Sequence, residues 1–144
     1  MKFHALEIIE NEIILSELKT AWKDSAPSIS NGHEEGGFIV IDKFENLSVV
    51  RWEKGKQNEI VLPPHRNCFI DGKEILASFH THPNIGRDFQ QEPSLTDIRA
   101  VRDDPDLKGE NYMGEFVVSK DVIYLINPFG EVVGIGKTES FFED

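Results

Sequence analysis

The chain has 144 residues, 39% of them hydrophobic and 28% charged, which is the size and balance of one globular domain with a single packed core. Its 26 acidic and 15 basic residues give a formal charge of −11, and no Lys/Arg cluster offers a phosphate-backbone footprint, so nucleic acid is excluded as a partner. Cys68 is the only cysteine, which excludes an intrachain disulfide; no apolar run reaches membrane-spanning length, and residues 1–7 lack the apolar core of a signal peptide, so the chain reads as cytoplasmic.

Residues 3–10 carry Phe3, Leu6, Ile8 and Ile9 and read as a short strand. From Glu12 on, Ile13, Ile14, Leu18, Ala21 and Trp22 follow helical spacing, with polar residues between them, which predicts an amphipathic helix packed on a sheet. Residues 25–33 are rich in Ser, Pro, Asn and Gly and form a loop that delivers the chain to Glu34 and Glu35. A strand with a glycine entry follows at 36–41, and a second at 47–52 pairs with it as a hairpin. Residues 53–58 form a charged loop and 59–62 a short strand, interrupted by Pro63 and Pro64. His65 reads as an exposed loop histidine, as do His4 and His33. Residues 67–72 are ambiguous, with Phe69 and Ile70 expected to be buried.

The next stretch organises the rest. Residues 75–79 are a continuous apolar strand that runs into His80-Thr81-His82, and the period of two points both imidazoles to one side. Pro83 ends the strand. A polar loop, 84–92, leads to Ser94, the expected N-cap of a helix over 94–103 with Leu95, Ile98 and Val101 on one face. Asp97 then falls in the first turn. Taken alone, a histidine pair at a strand end is an exposed polar end, and Ser94-x-x-Asp97 is a capping box. Together they place two imidazoles and a carboxylate where they converge on one cation, a set that zinc takes as three ligands with a fourth position open. Strands at 115–119, 122–127 and 131–137, with turn signals at Lys120-Asp121 and Pro128-Phe129-Gly130, complete an antiparallel meander. Phe141 and Phe142 either dock on the body or form a contact motif.

His80-Thr81-His82-Pro83 with Ser94-Leu95-Thr96-Asp97 resembles the JAMM motif (also MPN+ or JAB) of zinc metallopeptidases. That motif includes an upstream glutamate, commonly Glu-x-x-Gly before apolar residues. Glu34 fits this spacing in Glu34-Glu35-Gly36-Gly37-Phe38, with Glu35 as the neighbouring alternative. Eleven residues, 83–93, separate His82 from Ser94, more than the family usually carries, which widens the loop over the site. Arg87, Asp88 and Phe89 at its middle suit a substrate lid or a solvent loop.

The resemblance implies an α/β fold: one JAMM/MPN-like domain over residues 1–144, with a curved, mixed, mostly antiparallel sheet, the Glu12 helix on one face and the Ser94 helix near an edge. It implies zinc on His80, His82 and Asp97, Glu34 as general base, and Ser94 as oxyanion donor. The reaction would be peptide or isopeptide hydrolysis on a protein substrate, including ubiquitin-like conjugates. Two other roles belong to relatives of the motif: a catalytically silent MPN-type interaction module, and a toxin- or effector-associated peptidase. A zinc deaminase is excluded, since its Cys-x-x-Cys needs more than one cysteine.

Overall fold

Asn11 starts a helix: its side-chain oxygen accepts hydrogen bonds from the backbone N–H of Ile13 (3.0 Å) and Ile14 (3.2 Å). In the computed structural model, which describes residues 3–143, this is α2 (Glu12–Asp24), and it buries Ile14, Leu18 and Ala21 along one stripe. Residues 3–10 are not the expected strand. They form α1 (Ala5–Ile9), where the consecutive residues Ile8 and Ile9 are both fully buried in the same apolar cluster. Strand alternation would have sent one of them to the opposite face. Glu7 caps this short helix by accepting from the His4 N–H at 3.0 Å.

The remaining elements are β1 (Gly36–Ile41), β2 (Leu47–Arg51), β3 (Phe69–Ile70), β4 (Lys73–Thr81), α3 (Leu95–Arg102), β5 (Glu115–Val118), β6 (Val122–Ile126), β7 (Val132–Lys137) and α4 (Thr138–Phe142). The seven strands form one open mixed sheet in the order β2-β1-β4-β5-β6-β7, with β3 pairing β4 beside that path. The pair β4–β5 is parallel, whereas the other pairs are antiparallel. A parallel pair needs a long crossover, and here the crossover carries α3. Among the described residues, no helix is long and apolar enough to cross a membrane.

Residues 59–62 are irregular rather than strand. Ile60 and Leu62 pack against the apolar cluster around Phe38 and Trp52 without joining the sheet. Phe69 is 48% exposed, not buried. It belongs to the tight hairpin β3–β4, whose turn residues Asp71 (φ 52°) and Gly72 (φ 76°) are both left-handed.

The sheet separates two apolar clusters. Ile39, Ala77, Phe79, Phe116 and Val118 pack with Ile8, Ile9, Ile14 and Leu18, so α1 and α2 cover one face, and Phe141 and Phe142 of α4 dock against the same cluster. Phe38, Val40, Ile75, Val117 and Ile126 face the other way, under Ile98 and Val101 of α3 with Leu107 and Tyr112. Thus α3 packs on the second face instead of lying near an edge. Leu95 is 56% exposed, because a spacing of three residues drifts by about 60° per step and carries it off the buried stripe by Val101.

Gly114 leads into β5 at φ 111°, and a Cβ on it would lie 1.9 Å from the Ile126 carbonyl oxygen. Gly114→Ala is therefore expected to cost about 3 kcal/mol or more in urea unfolding, from backbone strain and overpacking together. Gly72→Ala has open space around it and is expected to cost only about 1 kcal/mol. Equal costs at the two positions would contradict this placement of Gly114.

Candidate metal centre

The pleat of β4 fixes the first two side chains. His80 is 2% exposed and His82 8%. The His82 N–H donates to the Val118 carbonyl at 2.8 Å, so the β4–β5 register persists one residue past β4 and keeps both imidazoles on one side. Their Nε2 atoms stand 3.1 Å apart. The first turn of α3 brings Asp97 to them, Oδ1 at 3.3 Å from His80 Nε2 and Oδ2 at 3.2 Å from His82 Nε2. One ligand atom from each of the three lies within 4.8 Å of the others. The two imidazoles and the carboxylate are thus close enough together for a single ion to reach all three.

The far side of each ring is also engaged. His80 Nδ1 hydrogen-bonds Glu115 Oε2, and Glu115 Oε1 accepts from Ser78 Oγ at 2.8 Å, which itself bonds the Tyr112 hydroxyl at 2.8 Å. Opposite registry explains the contact, since Glu115 pairs with Ser78 and Val117 with His80 across β4–β5. His82 Nδ1 donates to the Gln91 carbonyl at 3.0 Å. Each Nδ1 faces a protein acceptor, which leaves both Nε2 atoms toward Asp97, the arrangement by which outer groups orient metal-binding histidines.

The electrostatics agree. Burial opposes charging of His80, but Glu115 and Asp97 drive its pKa well above the usual value. Burial would raise Asp97, yet the hydrogen bonds from His80 and His82 hold it well below the ordinary carboxylate range. Without a metal, a proton on His80 supplies the positive charge this cluster requires.

Glu34 and Glu35 diverge at the start of β1. The Glu34 side chain, 6% exposed, enters a cleft of about 550 Å³ that His80, His82, Asp97 and Ser94 also line. Burial pushes its pKa up to about 7, against the lowering effect of His80 and His82. Glu35 is held away by Arg51 Nη2 and His33 Nε2, each at 2.6 Å from its carboxylate. Ser94 caps α3: its Oγ accepts from the Asp97 N–H at 3.1 Å, while Asp97 Oδ2 accepts from the Ser94 N–H at 2.8 Å. The capping box and the carboxylate of the cluster are therefore one structure. His65 lies elsewhere, between Asp104 (2.8 Å) and the Pro63 carbonyl. In the long loop, Asp88 and Phe89 line the cleft with Trp52, Ile60 and Leu62, whereas Arg87 is exposed.

No protein-family model, curated protein or solved structure matches the chain, so the centre is read from its own residues.

Sequence reasoning missed Glu115 and Gln91. The first had a signal, an acid opening the otherwise apolar run Glu115-Phe116-Val117-Val118 that is buried throughout. Gln91 acts through its backbone, which leaves no trace in residue type.

One divalent ion is expected to bind per chain in equilibrium dialysis, and the double variant His80→Ala/His82→Ala to bind none. Glu115→Ala is expected to weaken binding by about 10- to 100-fold; unchanged affinity would remove Glu115 from the centre. A second measurement follows from Glu34. Its raised pKa means the folded metal-free protein is stabilised fully below pH 4.5 and loses that contribution as pH rises through about 7. Relative to wild type, Glu34→Gln should therefore gain about 3 kcal/mol in unfolding free energy between pH 4 and pH 8. A pH-independent difference would show Glu34 to be solvated.

Proposed function

We propose that the protein is a zinc-dependent peptidase or isopeptidase of the JAMM type. The observation that carries this reading is a buried carboxylate, Glu34, facing the same cleft as the His80–His82–Asp97 cluster. The resemblance of His80-Thr81-His82-Pro83 and Ser94-x-x-Asp97 to the JAMM motif supports it. So does the donor set, two imidazoles and one carboxylate, which suits zinc and leaves a coordination position open.

His80 Nε2, His82 Nε2 and a carboxylate oxygen of Asp97 would hold the ion. Zinc in such a site acts as a Lewis acid that polarises a carbonyl and makes water nucleophilic near neutral pH. Glu34 takes a proton from the attacking water onto its carboxylate and returns it to the leaving amine nitrogen. A carboxyl pKa of about 7 suits both halves of that task at neutral pH. The Ser94 hydroxyl accepts from the Asp97 N–H, and its own proton remains available to donate to the developing oxyanion. Asp97 stays ionised throughout, because its pKa lies far below neutrality. The cleft walls from Trp52, Ile60, Leu62 and Phe89 give an apolar surface for substrate side chains, and no Lys or Arg lines it among the described residues.

The test is hydrolysis of a fluorogenic peptide library and of a lysine-linked ubiquitin-like conjugate by zinc-loaded protein. Glu34→Gln is expected to retain stoichiometric zinc while turnover falls by about 10²- to 10⁴-fold. Turnover that survives in Glu34→Gln, or in chelator-treated protein, would overturn the proposal.

A further inference from the structure

We infer that Asn84 is a positioning residue that locks Glu34 against the metal-ligand strand by closing a ring of hydrogen bonds through three loops. The inference rests on the proposed role of Glu34.

Asn84 stands two residues after His82 and is 2% exposed. Its carboxamide has three partners. Oδ1 accepts from the Gly32 N–H at 2.7 Å, and Nδ2 donates to the Gly32 carbonyl at 3.1 Å and to the Gln57 carbonyl at 2.9 Å. Gly32 is two residues before Glu34. Gln57 follows Lys56, whose carbonyl accepts the Glu34 N–H at 2.7 Å, and the Gly55 N–H donates to the Glu34 carbonyl at 2.8 Å. The connection therefore runs from His82 to Asn84, across to Gly32, along to Glu34, across to Lys56, and through Gln57 back to Asn84. A single side chain joins the segment bearing the proposed base to the segment bearing a ligand.

The chemistry at this point requires a primary amide. One position faces an N–H and two face carbonyls, so the side chain must accept once and donate twice within a buried space. Asn does this; Asp cannot donate, and Ala leaves three backbone groups unpaired. Close approach is built in around it. A Cβ on Gly32 would lie 2.9 Å from Pro83 Cβ, and one on Gly55 would lie 2.9 Å from the Glu34 carbonyl oxygen. Parallel bridging between Ser28 and Asn84 runs alongside, with the Ser28 N–H donating to Pro83 at 3.2 Å and the Ile85 N–H to Ser28 at 2.9 Å. Those backbone bonds hold the loops near one another without the amide. What the amide adds is the tie to residue 57, and through it the fixed position of the Glu34 backbone.

The experiment compares wild type, Asn84→Ala and Asn84→Asp by amide hydrogen exchange in the metal-free protein. A second arm measures kcat and KM of the zinc-loaded proteins on a fluorescent casein digest. Exchange at Gly32, Glu34 and Gly55 is expected to quicken about tenfold in both variants, while Ile39, Ala77 and Val117 in the strands stay as in wild type. In the second arm kcat is expected to fall about tenfold with KM within about twofold of wild type, since only the base is displaced. Unchanged exchange at Glu34 overturns the inference, as does equal quickening in the strands, which would make Asn84 a general stability residue. Failure of both variants to fold has the same meaning. If wild type cleaves neither the casein digest nor the lysine-linked conjugate, the peptidase reading fails, while the exchange arm still decides whether Asn84 holds Glu34 in place.

Discussion

A buried imidazole between two carboxylates is the constraint on which the centre depends. His80 is 2% exposed and touches Glu115 through Nδ1 and Asp97 through Nε2. Glu34 adds a third carboxylate to the same cleft, and no Lys or Arg lines it among the described residues. Negative charge enclosed in this way is costly unless a cation or protons compensate it. The metal-free protein compensates with protons: the pKa values of His80 and Glu34 both rise. A divalent ion between His80, His82 and Asp97, which could hold one, would remove the need for them.

The sheet makes the arrangement possible. Because β4 and β5 run parallel, the chain must travel from one end of the sheet to the other between them, and α3 is placed on that crossover with its first turn at the ends of the strands. Antiparallel pairing would have used a short turn, with no helix start to carry Asp97. The same pair sets Glu115 opposite Ser78, so a carboxylate reaches the back of His80. One topological choice thus places both the Asp97 carboxylate and the Glu115 carboxylate against His80.

Much of this was legible in the sequence because its local rules were unopposed. Strand alternation put His80 and His82 on one side, Pro83 ended the strand, and Ser94 capped the helix that carries Asp97, all as their residue types dictate. The α/β class and the closing meander followed from apolar runs and turn residues. The errors arose where partners decide. Residues 3–10 had enough apolar side chains for a strand but found helix α2 to pack beside, and Ile60 and Leu62 of residues 59–62 pack on the second apolar cluster without joining the sheet. The hairpin at Asp71-Gly72 carries a turn signal in its residues, but the exposure of Phe69 depends on β3 lying off the main path of the sheet. The supporting roles of Glu115, Gln91 and Asn84 depend on which strands and loops become neighbours, and residue order alone does not state that.

The most direct test of the account is X-ray absorption at the zinc edge on protein loaded with one equivalent of zinc. Two imidazole nitrogens with oxygen neighbours are expected, all at about 2.0–2.2 Å in four-coordinate geometry. The imidazole scattering is expected to vanish in the double variant His80→Ala/His82→Ala. A sulfur neighbour at about 2.3 Å, or a shell of oxygens without imidazole, would contradict it.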